Sequence, residues 1–134
     1  MSGPDTRGPA VDAAEDLYRA IHTVDWWEPD AVPPRPRSAA FRKRKFSANI
    51  AREIGLEGAV RHLCDVLMSP QGAVVSFNCG RARELGFDAR RELDAHYPEN
   101  TAHANVYSDG STSDLKRSAK QLARGCQTVY APAF

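Results

Sequence analysis

The chain has 134 residues, of which 42% are hydrophobic and 26% charged, with a formal net charge of +1. That length suits one domain burying roughly two thirds of the surface its unfolded form exposes, and the balance excludes a wholly disordered polymer. No apolar run approaches the ~20 residues of a membrane-spanning helix, and the opening MSGPDTRGPAVDAAED lacks the basic-then-apolar layout of a secretory signal, so a cytoplasmic protein without a membrane anchor is expected.

Residues 1–12 are rich in Gly, Pro and Asp and read as a flexible arm ahead of a single domain spanning 13–134. The charge is uneven. Residues 1–30 carry seven acids against Arg7 and Arg19, a net of −5, so the remainder must total +6.

The segment LYRAIH alternates as a strand does, although Val11, Ala14, Leu17 and Ile21 also recur at helical spacing; a short strand is the reading adopted. Next, TVDWWEPDAVPPRPRSAAF sets Trp26 and Trp27 beside Pro29, Pro33, Pro34 and Pro36, a proline density that excludes a regular helix or central strand. This loop either clamps onto the core through its tryptophans or offers them to a protein partner.

KFSANIA alternates Phe46, Ala48 and Ile50 against Ser47 and Asn49, as a half-buried strand does. EGAVRHLCDVLM places Val60, Leu63, Cys64 and Leu67 at helical spacing, and GAVVSFNCG reads as a buried central strand. RARELGF is a helical turn or two ended by Gly86, DARRELD an edge strand, and AHANVYS another strand. SDGSTSDLKRSAKQLARGC opens on capping residues and stops at Gly125, a C-terminal helix. The sum is an α+β domain, a mixed sheet of four or five strands with helices packed on it.

Within residues 35–45, Arg35, Arg37, Arg42, Lys43, Arg44 and Lys45 stand with no acid among them. Such a cluster beside aromatic residues suits a phosphate-bearing partner, most naturally nucleic acid, because Lys and Arg contacts to phosphate release counterions. A solvated strand edge and masking by the acidic N-terminal section are the competing readings.

Four histidines and three cysteines show no metal-ligand spacing, and no nucleotide-binding glycine loop occurs, so neither metal nor cofactor is expected. His103 in PENTAHANV lies between Asn100 and Asn105, where an imidazole can act as acid or base. His22 is its candidate partner in a metal-free ribonuclease pair; His96 has a weaker claim and His62 reads as the flank of a helix. Cys79, between strand and helix, is a candidate nucleophile or a buried structural thiol.

LYRAIH followed by RKRKFSANIA resembles the first strands of RES-type toxins of the ADP-ribosyltransferase superfamily. That resemblance implies NAD as co-substrate, Arg19 as the strand arginine holding its phosphate, and Glu57 as an acid. It spans about a third of the chain; no Arg-Phe-Asn motif follows and the second half has no counterpart, so the family is not assigned. The sequence thus leaves three functions open: a phosphate-binding accessory domain, a small toxin-like enzyme, or a non-catalytic interaction component.

Overall fold

The computed structural model describes residues 7–132. Among these residues, eight strands and three α-helices form an α+β domain: β1 (Asp16–Ile21), β2 (Trp27–Glu28), β3 (Arg35–Pro36), β4 (Lys45–Ile50), α1 (Ala51–Arg61), β5 (Ala73–Asn78), α2 (Cys79–Glu84), β6 (Phe87–Arg91), β7 (His103–Ser108), α3 (Thr112–Gly125) and β8 (Gln127–Tyr130). Six strands make one antiparallel sheet in the order β6-β7-β4-β1-β5-β8, and β2 pairs with β3 apart from it. The class matches the sequence reading, whereas the strand count exceeds the four or five expected. The additions are β8 and the two-residue pair inside the proline loop, segments too short to show an alternation.

Alternation divides the sheet into two faces. Leu17, Ile21, Phe46, Ala48, Ile50, Val75, Phe77, Phe87, Ala89, Ala104 and Val106 point to one, where α2, α3, Phe41 and Trp27 cover them. Phe41, Phe46, Phe77 and Phe87 form an edge-to-face aromatic chain with centroids 5.6–6.1 Å apart. Such pairs add about 0.5–1.5 kcal/mol each beyond area burial. The other face is apolar only across β1, β5 and β8, where Tyr18, Ala20, Val74 and Val129 meet Ile54, Ala59 and Leu63. Across β4, β7 and β6 it carries Ser47, Asn49, His103, Asn105, Tyr107 and Arg90.

Local signals place the helices. Asn78 caps α2 by accepting from the Arg81 amide at 3.0 Å, and Gly86 closes that turn at φ +95°, a conformation that costs other residues strain. Ser111 caps α3 by accepting from the Asp114 amide at 3.1 Å. In α1, Gly55 at φ +70° interrupts the helical path. A π-helical turn, His62–Val66, then follows the helix.

The part of the N-terminal segment that the structure describes runs beside β6. Ala10 bridges Arg90, the Val11 amide donates to the Ala89 carbonyl at 3.0 Å, and Val11 is 5% exposed within the core. Residues 1–6 lie outside the described region. No helix among the described residues is long and apolar enough to cross a membrane.

Candidate functional site

A cavity of about 150 Å³ opens on the polar half of the second face, lined by the β1 residues Tyr18 and Ala20, the β4 residues Ser47 and Asn49, and His22, His62, Asp94, Tyr97 and His103. The sheet makes this convergence. Asn49 on β4 is the register partner of His103 on β7, and Tyr18 on β1 is the partner of Asn49, so three neighbouring strands set their side chains on one face. His22 follows β1, and His62 begins the π-helical turn after α1; such turns re-aim side chains at functional positions.

His103 is the most constrained member. Its Nδ1 lies 2.6 Å from the Glu92 carbonyl oxygen, an acceptor only, so Nδ1 carries the proton and donates it. The residue is 4% exposed, and its Nε2 is buried with no hydrogen-bond partner. The nearest carboxylate oxygen, Asp94 Oδ2, is 3.9 Å from Nε2. Asn100 Nδ2 donates to Asn49 Oδ1 at 2.7 Å, tying the 92–102 loop to β4 and leaving the Asn49 amide nitrogen as a donor beside the cavity.

Burial pushes the His22 pKa down, and the positive charges of Arg19 and Lys43 push in the same direction. His62 is likewise held below the usual imidazole value, first by burial and then by His103; Asp94 and Glu99 oppose this weakly. Its ring meets Tyr97 edge-on at 5.5 Å. Both histidines are therefore neutral at neutral pH and able to accept a proton.

Arg19 also lines the cavity wall, but its guanidinium is directed to the apolar core, and the residue is 6% exposed. Its Nε and Nη2 donate to the Ala40 carbonyl at 3.1 and 3.0 Å, and Nη1 to the Ser47 carbonyl at 2.9 Å. The guanidinium carbon lies 4.8 Å from the Phe46 ring centroid and 4.9 Å from that of Trp26. Burial lowers its pKa to about 10, which still leaves a full positive charge at neutral pH. Its donors thus hold backbone rather than a ligand. Glu57, the acid implied by the toxin resemblance, is 91% exposed and pairs with Arg61.

Trp26 joins this wall to the basic run: Lys43 Nζ stands 5.2 Å from its ring centroid, and His22 meets the ring edge-on at 4.6 Å. Trp27 is 2% exposed in the core, so of the two tryptophans only Trp26 has surface left for a partner.

The six cations of residues 35–45 do not form one patch. Arg35 pairs with Glu28 at 3.0 Å, and Arg37 donates to the Trp27 carbonyl at 2.9 Å, both at the β2–β3 pair. Arg42 is exposed on the turn before β4. Arg44 donates to the Gly110 carbonyl, and Lys45 sits with Arg7 and Tyr107 at the far end of the sheet. Among the described acids of the first thirty residues, Glu28 meets the run, through Arg35 and, at 3.8 Å, Arg37.

Cys79 is 1% exposed, and burial raises its pKa, the opposite of what a thiolate nucleophile needs. His96 is exposed on the 92–102 loop and is not part of the cavity wall. Among the described residues no three His, Cys, Asp or Glu side chains are grouped to hold a metal ion. Sequence reasoning named His103 and His22; it missed His62, Asn49 and Asp94. His62 was hidden because the π-helical turn breaks the 3.6-residue period by which its face was judged.

No family model matches the chain, and comparison with curated proteins and with solved structures finds no match.

Proposed function

We propose that the protein is a metal-independent acid–base enzyme cleaving single-stranded RNA in the histidine-lined cavity. The observation that carries this reading is the buried, unpartnered Nε2 of His103 in a cavity that also holds His22 and His62. A buried nitrogen without a partner costs about 1–3 kcal/mol, which argues for a ligand atom that it meets.

At about 150 Å³ the cavity is below the ~300–1,000 Å³ typical of drug-sized ligands. One phosphodiester group fits that scale and a dinucleotide such as NAD does not. The engagement of Arg19 with backbone carbonyls also favours RNA cleavage over NAD-dependent transferase chemistry.

In this mechanism His22, neutral through burial, takes the proton of a ribose 2′-hydroxyl while the 2′-oxygen attacks phosphorus. The P–O5′ bond breaks, and the departing oxygen takes a proton from His103 Nε2, beside which the Asp94 carboxylate stands at 3.9 Å. Lys43 beside Trp26 and the Asn49 amide nitrogen face the charge developing on the phosphoryl oxygens. The products are a 2′,3′-cyclic phosphate and a 5′-hydroxyl.

The test incubates purified protein with oligoribonucleotides of mixed sequence in the presence of EDTA. Cyclic-phosphate ends from RNA, none from the matching DNA, and loss of cleavage in His103→Asn support the proposal. Intact RNA with the wild type, or cleavage indifferent to His103→Asn, overturns it.

A further inference from the structure

We infer that a second site, a basic groove between the β2–β3 pair and α3 on the opposite side of the sheet, binds the phosphate backbone of single-stranded nucleic acid. Lys116, Lys120 and Arg124 stand at i, i+4 and i+8 on α3 and share a groove of about 260 Å³ with Arg35 and Arg37. The buried stripe of the same helix, Leu115, Ala119, Leu122 and Ala123, packs on the core and so turns these cations outward along its flank. Among the described residues Glu28 is the single carboxylate in the groove, leaving four net positive charges from five cations.

Glu28 is already shared by Arg35 and Arg37, which remain 46% and 50% exposed. Among the described residues no acid lies within ion-pair distance of Lys116, Lys120 or Arg124. A groove whose positive charge is left uncompensated lowers net stability through self-repulsion, which a polyanion would relieve.

Spacing selects the class of anion. Four residues of α-helix rise about 6 Å, a step comparable with the separation of successive phosphates in one strand, so the three α3 cations strung over about 12 Å can face three phosphates in a row. A single phosphate or a small dianion would engage one end of that row only. The groove has no aromatic lining on which a base could stack, which predicts binding indifferent to base sequence. This reading does not rest on the catalytic one: the groove uses α3, which contributes nothing to the histidine cavity.

The experiment is fluorescence anisotropy with labelled 12-mers of oligo-dT and oligo-U, at 50 and 200 mM salt. Engagement of about four phosphates gives a log–log salt slope near −3, an affinity loss of roughly 50-fold between the two salts. The triple variant Lys116→Ala/Lys120→Ala/Arg124→Ala, confined to solvent-facing side chains, weakens binding at 50 mM by about 10-fold or more and flattens the slope by about 2. Oligo-U binding without oligo-dT binding assigns the site to RNA; equal binding assigns it to the shared polyphosphate. Absence of binding at 50 mM, equal competition by poly-glutamate, or binding that survives the triple variant but is lost in Arg42→Ala/Lys43→Ala overturns the inference. Because His103→Asn leaves the groove intact, failure of RNA cleavage with retained binding separates this outcome from that of the catalytic proposal.

Discussion

His103 donates its Nδ1 proton to the main-chain carbonyl of Glu92 at 2.6 Å, while the carboxylate of that same Glu92 accepts from Tyr107 Oη at 2.5 Å, Asn105 Nδ2 at 3.0 Å and the Gly8 amide at 2.9 Å. One residue therefore orients the imidazole through its backbone and secures β7 and the N-terminal segment through its side chain. Burial opposes ionisation of Glu92, but the hydrogen bonds from Tyr107, Asn105 and Gly8, with the charge of Lys45, outweigh it and hold the carboxyl below the usual range.

Glu92→Ala removes three acceptor contacts to an ionised group. Hydrogen bonds to charged groups are worth about 1.5–3 kcal/mol before solvent screening, so a loss of about 2–3 kcal/mol in total is expected for this partly exposed site. Denaturant titration measures the stability. Hydrogen exchange then shows whether the amides of Val11 and Arg91, which pair the N-terminal segment with β6, lose protection; unchanged exchange there would detach Glu92 from that role.

Arg19→Lys keeps the charge and removes the planar fork. An ammonium cannot bridge Ala40 and Ser47 carbonyls while stacking on Phe46 and Trp26, so two buried carbonyls lose donors. A cost of about 1–3 kcal/mol is expected, read as a drop in melting temperature, and Arg19→Met costs no less because it also leaves both carbonyls bare.

Acid weakens the fold in two separate windows. His22 and His62 have lowered folded-state values, so the unfolded chain binds more protons as pH falls below about 6.5, and stability declines from there towards their folded values. Glu92, Glu53 and Asp109 are also lowered, and their contribution, present above the unfolded carboxyl value, is lost only below about pH 4.5. Melting temperatures between pH 7.5 and 5 should fall in the wild type and fall less in His22→Gln/His62→Gln, with the lower window unchanged.

In the proposed RNA cleavage, the same physics sets the rate profile. Burial, then Arg19 and Lys43, depress His22, so the acid limb of kcat/KM for RNA lies below pH 6.5. Lys43→Ala removes one repelling cation and moves that limb towards higher pH. A limb that stays in place in Lys43→Ala removes His22 from the role of base.

Cys79 should resist alkylation at neutral pH in the folded protein, since burial both shields it and raises its pKa. Cys126 is half-buried, and burial pushes its pKa up to about 12, so it too lacks thiolate at neutral pH. Mass spectrometry after iodoacetamide treatment, native against unfolded, checks both; rapid native modification of Cys79 would reopen it as a nucleophile.

The sequence by itself determined the element types. Alternation in LYRAIH, KFSANIA and AHANVYS, the apolar run before Asn78, the caps at Ser111 and Gly86 and the stop at Gly125 act over a few residues, where period and propensity decide the conformation. It also singled out His103 and His22 as candidate site residues. Only the tertiary structure decided that they share a cavity, because that depends on Tyr18, Asn49 and His103 falling in register across β1, β4 and β7, pairings separated by tens of residues. The basic run shows the converse. Its residues are close in sequence, yet β3, the turn before β4 and β4 itself send Arg35 and Arg37 to α3, Lys43 to Trp26, and Arg44 and Lys45 to the far end of the sheet. Charge density is a local property of the chain, whereas the surface on which each charge lands is set by strand direction and by what packs against it.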